Sequence, residues 1–410
     1  MAGGSPTHRL GFVQNLRPAL RVLIAGGGVA ALEAALALRA LADERVEIEL
    51  LSPEPHFWYR PLAVVEPFGT GHVHAVELTS LARSCGAIVT LGALASVDPD
   101  RHLARTAAGA EIEYDVLLVA TGASPVPAVT GALTFRGPAN NLAYGDVLDE
   151  LERGTVRHLA FAVPGGVTWP LPLYELALLT ASFLERRGID GAELALVTPE
   201  DEPLGLFGAE ASAAVRRLLD DRRIALHTRR FPMMAGDGVL AVARGDSILA
   251  DRVVSLPRLR GRPIDGIPSD ANGFIPTDRH GYVMGVGDVL AAGDVTSFPV
   301  KQGGIAAQQA DAAAEAIAAA AGADVVPHPF RPVLRGLLLT GSTPTYLRTA
   351  LHGGAGDTST AEADPLWWPP AKIVGRYLAP FLAERADAIF TPPAGAAAVR
   401  VEVDLGAPPA

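Results

Sequence analysis

One short segment near the start constrains this chain most: Arg21-Val-Leu-Ile-Ala-Gly26-Gly27-Gly28-Val29-Ala30-Ala31-Leu-Glu33-Ala34. Apolar and β-branched residues run into a glycine turn, and the turn runs into an alanine-rich stretch, so a strand, a tight turn and a helix are expected. A dinucleotide pyrophosphate needs that layout. Gly26 permits the turn, Gly28 lets the backbone approach the phosphates, and Ala31 takes the small slot where helix packs on strand. The phosphate charge then rests on free N–H groups at Val29, Ala30 and Ala31, the start of the helix.

A second segment lies far downstream. Val289-Leu-Ala-Ala-Gly293-Asp294-Val295 ends another apolar run in Gly-Asp, and Lys301-Gln302-Gly303-Gly304 then opens another alanine-rich helix. Either segment alone is a weak signal, but in this order and at this separation they read as the two ends of one FAD site. One position departs from the usual fingerprint. The acidic residue expected about 20 residues beyond the glycines is replaced by Ser52, so the Ser52 hydroxyl or Glu54 is expected to hold the adenosine ribose.

At 410 residues the chain is too long for one ordinary core. Its 49% apolar and 19% charged residues supply material for buried parallel sheets. A net charge of −11 argues against nucleic acid as a partner. Lys301 and Lys372 are the only lysines, and Cys85 is the only cysteine, so neither an intrachain disulfide nor a cysteine metal cluster can form. No apolar run has the length of a signal peptide or a spanning helix, which points to a cytoplasmic location.

Hydrophobic runs and breakers set the expected organisation. The first unit continues through Ala87–Val97 and Ala104–Ile112, read as short antiparallel strands, and returns in the buried strand ending at Ala120-Thr121-Gly122. A second α/β unit follows, with strands at Val156–Val163, Ala192–Val197, Ile224–Thr228 and Asp251–Leu256. The expected fold is α/β: two Rossmann-like, three-layer ββα dinucleotide-binding domains, the second inserted in the first, plus a C-terminal cap. The boundaries are 18–125 with 258–325 for FAD, 126–257 for the second domain, and 326–405 for the cap.

The order Gly26-x-Gly28, Ala120-Thr121-Gly122, a second nucleotide-type domain, Gly293-Asp294 and Lys301-Gln302-Gly303-Gly304 resembles the two-dinucleotide-domain flavoprotein oxidoreductases. Within them it looks most like the branch of type II NADH dehydrogenases, sulfide:quinone oxidoreductases and flavocytochrome c sulfide dehydrogenases, over roughly residues 20 to 390. The resemblance implies that Asp294 bonds the ribityl chain and phosphate end of FAD and that Lys301, Gln302 and Gly303 lie at the flavin ring. It also implies that Leu94, Ala120, Thr121 and Gly122 flank the adenine and the flavin, and that Tyr59-Arg60-Pro61 follows the adenine-side loop toward the phosphates. Charge supports Lys301 as a catalytic residue independently: a reduced flavin gains negative charge, and an ammonium beside a helix N-terminus compensates it.

The second domain departs from NADH-using relatives, which carry another Gly-x-Gly-x-x-Gly turn. Here the strand ends in Val163-Pro164-Gly165-Gly166-Val167-Thr168-Trp169-Pro170-Leu171-Pro172-Leu173-Tyr174-Glu175, where three prolines remove N–H donors. The loop resembles that of flavocytochrome c sulfide dehydrogenases, with Trp169 near the position of their redox cysteine, so persulfide chemistry is not expected. Trp169 reads either as a catalytic-site lid over the flavin or as packing between domains. Glu200 and Asp201 follow the strand Ala192–Val197, and carboxylates there suit a ribose 2′-OH, favouring NADH over NADPH.

Pro365-Leu-Trp367-Trp368-Pro369-Pro370-Ala-Lys372 and the residues to Leu382 mix aromatic and basic side chains, a composition found at membrane interfaces. Peripheral membrane contact through 365–385, at the inner face, and a homodimer are the partner expectations. The combined expectation is an FAD oxidoreductase taking electrons from a small-molecule donor, NADH first, and passing them to a quinone or similar acceptor. The alternatives are a cysteine-free dehydrogenase of another small molecule, or a flavin-bearing electron-transfer module without nicotinamide turnover.

Overall fold

The computed structural model describes residues 18–243, 245–341 and 372–385, together with the strands Tyr346–Ala350, Thr358–Glu362 and Ala398–Asp404. The apolar run before the glycines forms β1 (Leu20–Ala25), and the alanine-rich stretch forms α1 (Val29–Ala42). Then come β2 (Val46–Ser52), β3 (Ile88–Leu91) and β4 (Val116–Val119). The chain leaves this unit through β5 (Ser124–Val126) and builds β6 (Leu133–Thr134), β7 (His158–Ala162), α2 (Leu171–Arg187), β8 (Glu193–Val197), β9 (Ile224–His227) and β10 (Arg252–Ser255). It returns through β11 (Arg258–Arg260), which pairs antiparallel with β5, and adds β12 (Val289–Ala291) and α3 (Gly303–Ala320).

Two parallel five-stranded sheets result, in the orders β12-β4-β1-β2-β3 and β6-β10-β7-β8-β9. Both faces of the first sheet are covered, which is why its central strands are apolar throughout. Val22, Ile24 and Leu118 face the helix side with α1 and α3. Leu23, Ala25 and Leu117 face the opposite core, with Val97, Tyr114 and Ile275. That second layer includes the antiparallel strands Leu94–Asp98, Leu103–Thr106 and Glu111–Glu113. The architecture is three-layer ββα.

The run Ala87–Val97 is not one antiparallel strand. Ile88–Leu91 pairs parallel with β2 at the sheet edge, and the chain turns at Gly92 before Leu94 enters the antiparallel layer. Gly92 donates to the Ser52 carbonyl at 2.9 Å, and a side chain there would meet Leu51 and Thr106. The run Ala104–Ile112 likewise splits into a hairpin turning at Gly109, φ +87°.

Beyond α3, β13 (Val333–Leu339) pairs antiparallel with Ala398–Asp404, and Tyr346–Ala350 with Thr358–Glu362. A short helix, α4 (Leu378–Arg385), follows residues 372–377, which run over the first unit. Trp367, Trp368, Pro369 and Pro370 lie outside the described residues.

Candidate active site

Gly26 sits where β1 ends against β4. Its N–H donates to the Leu51 carbonyl at 2.8 Å, its φ is +146°, and a Cβ there would lie 2.2 Å from the Ala120 carbonyl oxygen. No other residue fits. Gly28 is the opposite case: it caps α1 without a side-chain hydrogen bond, and a Cβ on it would meet nothing within 4 Å. The first intrahelical bond runs from Leu32 to the Gly28 carbonyl, so the N–H groups of Val29, Ala30 and Ala31 stand ahead of it at the open end. Ala31 itself is fully buried, as its packing role requires.

The downstream segment meets this cradle. Gly293, φ +86°, lies between the two helices, its missing Cβ 3.1 Å from Ala30 and 3.4 Å from Ala306. Its N–H donates to Gln309 of α3 at 2.8 Å. Asp294 beside it is half-buried, and among the described residues no hydrogen-bond donor reaches its carboxylate. Burial pushes that carboxyl up, while Lys301 pulls it down. Lys301 donates to the Thr296 carbonyl and lies 3.9 Å over the Phe274 ring. Burial lowers its ammonium to about 8, against the raising influence of Asp294 and Asp270. Just beyond β4, Thr121 has a buried hydroxyl with no partner, and a Cβ on Gly122, φ +69°, would meet nothing within 4 Å.

The other expected residues make contacts of their own. Ser52 is 2% exposed, and its hydroxyl donates to the Glu54 carbonyl and accepts the Glu54 N–H, closing the turn after β2. It also lies 2.6 Å from where Gly27 would carry a Cβ, which explains the third glycine. Glu54 and Arg60 are exposed. Leu94 packs in the core on the far side of the sheet from α1. Gln302 is the cap of α3, accepting the Ile305 N–H at 2.9 Å and donating to the Arg335 carbonyl at 3.0 Å. Gly303 is small because Ile373 packs 3.0 Å from its missing Cβ. Trp169 is half-buried, edge-on to Phe207 with centroids 5.6 Å apart. Its loop still reaches the Lys301 loop, through Thr168 Oγ1 donating to the Pro299 carbonyl at 2.6 Å.

Residues 20–320 match the family model of the pyridine nucleotide-disulphide oxidoreductases. The chain belongs to that family. It is 26% identical over 314 residues to the sulfide-quinone reductase of Aquifex aeolicus, covering 70% of this chain and 72% of the relative. The crystal structure of the Aquifex aeolicus sulfide:quinone oxidoreductase superposes with a TM-score of 0.69 at 22% identity, over 78% of this chain and 81% of that one. NDH2 from Plasmodium falciparum, solved in complex with NADH, gives 0.57 at 16% identity, over 68% and 65%. A ferredoxin reductase from Rhodopseudomonas palustris gives 0.59 at 19%, over 80% and 85%. As a member of this family the protein is an FAD-dependent oxidoreductase.

Several polar contacts that sequence reasoning did not anticipate tie the starts of α1 and α2 to the C-terminal region. Glu33, at the fifth position of α1, accepts the N–H groups of Tyr377 and Leu378 at 2.7 and 2.8 Å. Glu175, at the fifth position of α2, accepts the Leu339 N–H at 2.8 Å and the Lys372 ammonium at 2.7 Å. Burial pulls Glu175 and Lys372 each toward the neutral form, and the partner's charge opposes this in both. Tyr59, fully buried, accepts the Ile373 N–H. The available signal was a glutamate at one place in two alanine- and leucine-rich helices, with the chain's second lysine to match it.

Proposed function

We propose that this protein passes electrons from a small-molecule donor through FAD to a quinone or similar acceptor. The observation that carries the reading is the meeting of the open Gly28 cradle with Asp294 and Lys301 across Gly293. Bound FAD supplies reversible two-electron chemistry. The N–H groups at the start of α1 would hold its pyrophosphate, the Asp294 carboxylate would accept from the ribityl hydroxyls, and the unpartnered Thr121 hydroxyl would offer a further bond. Lys301 would supply positive potential to offset the negative charge that reduction adds. The domain division at 125/126 and 257/258, across the β5–β11 ladder, is part of this proposal.

For the donor, NADH is the first candidate, with exposed Asp201 at the end of β8 suited to a ribose hydroxyl. Glu200 is unavailable for that role, since its carboxylate accepts the hydroxyls of Tyr174 and Thr198 at 2.7 and 2.8 Å. A smaller donor, held beneath the Trp169 loop, is the second reading. It is favoured by the start of α2, where Pro170 and Pro172 have no N–H and the Leu173 N–H is spent on the Pro170 carbonyl. Arg258 also occupies the Gly165 carbonyl, at 2.9 and 3.1 Å.

Anaerobic mixing of the flavin-loaded protein with NADH separates the two. Rapid bleaching of the flavin band supports NADH, and silence with NADH removes it in favour of the smaller donor. Reduced protein that a soluble quinone fails to reoxidise would rule out the proposed acceptor.

A further inference from the structure

Residues 372–378 cross both nucleotide-type units as a strap. At one end the Lys372 ammonium bonds Glu175 and, at 3.0 Å, the Pro61 carbonyl. At the other end the strap backbone lies directly on Glu33: besides the two N–H bonds, a Cβ on Gly375 would be 2.3 Å from Glu33 Oε2. Between them, Ile373 packs on Gly303, two residues after Lys301.

Glu33 has a second carboxyl beside it. Asp311 of α3 lies against Glu33, and its Oδ1 is buried with no hydrogen-bond partner. The other groups facing the pair are Glu315 on α3 and Arg376 and Tyr377 on the strap. Arg376 reaches Glu315 at 3.4 Å with 62% of its side chain exposed, and His328 bonds Glu315 at 3.0 Å from the loop beyond α3. Among the described residues, therefore, no buried cation accompanies Glu33 and Asp311. Two carboxylates this close cannot both ionise cheaply, so one proton belongs to the pair.

We propose that Glu33 and Asp311 form a proton-operated latch: sharing one proton they hold the strap on α1 and α3, and without it the strap lifts from that end. Burial and the charge of Glu33 push Asp311 up to about 8. With the strap lifted and the pair in water, the ordinary value of about 4 returns. The closed strap thus binds more protons than the lifted one between those values. Its advantage is full below about pH 4, declines as pH rises, and is gone above about pH 8. The latch does not depend on the identity of donor or acceptor.

The test is limited trypsin cleavage after Arg376 in the full-length, flavin-loaded protein, read by mass spectrometry. Parent and Asp311→Asn are compared at each pH, which cancels the protease's own pH dependence and the titration of Lys301, present in both. Asn stands in for a permanently protonated carboxyl. The parent-to-variant cleavage ratio should rise about tenfold or more between about pH 5.5 and 8.5 and then level off, one pH unit corresponding to about tenfold. A flat ratio overturns the latch. If Asp311→Asn does not retain flavin, Asp311→Ala, which likewise cannot titrate and leaves both Glu33 oxygens to accept the strap N–H groups, is read in the same way with the same two outcomes.

Discussion

The proposed site rests most on two side chains, the half-buried Asp294 and Lys301. If Asp294 bonds the cofactor as proposed, replacing it with Ala removes a charge-assisted bond worth ~1.5–3 kcal/mol, so FAD affinity should fall roughly ten- to a hundredfold, measured by equilibrium dialysis or flavin fluorescence. Undiminished retention would mean that Asp294 does not touch the cofactor. Lys301 is lowered to about 8 by burial, so its charge is present below that pH and lost above it. The flavin midpoint potential should therefore show a break near pH 8 that disappears in Lys301→Met. The turn at Gly26, the open cap at Gly28 and the close approach at Gly293 could be read in the sequence because they follow from backbone geometry within a few residues. The contacts of Gln302 with Arg335 and of Gly303 with Ile373 could not be read there, because those partners come from the C-terminal region.

At the scale of elements, α1 and α3 pack through alanines, and Gly293 occupies the narrowest point between them. Gly293→Ala should lower the melting temperature and flavin retention together, because the new methyl meets Ala30 and Ala306 while the backbone stays at φ +86°. Wild-type thermal unfolding and occupancy would contradict that packing. The parallel strands were legible as apolar runs, and the helices as alanine- or leucine-rich stretches. The run Ala87–Val97 was misread because only one residue pair, Gly92-Ala93, separates β3 from Leu94–Asp98, which joins a different layer. Periodicity reports that a strand is buried; it does not report which sheet it joins.

For the whole molecule, the Glu175–Lys372 pair joins the second unit to the strap, and Pro61 brings in the first. Lys372→Met leaves Glu175 buried without its cation, which costs about 3–5 kcal/mol. Chemical denaturation should show that loss, and adding Glu175→Gln should restore much of it, since a neutral amide needs no counter-charge. Equal stability of Lys372→Met and parent would remove the pair from the interdomain account. Among the described residues, no helix is long and apolar enough to cross a membrane. The aromatic stretch before Lys372 lies outside the described residues, so the expected membrane contact through 365–385 stays a proposal.

The bond from Leu378 to Glu33 spans 345 residues of sequence. Contacts of such separation are slow to form, because a long loop must close before they contribute. During synthesis at about 5–20 residues per second, α1 waits on the order of tens of seconds before the segment that covers its glutamate leaves the ribosome. Until then the first helix carries an acidic side chain with no backbone donors from the strap. A chain truncated before residue 372 would lack those donors permanently.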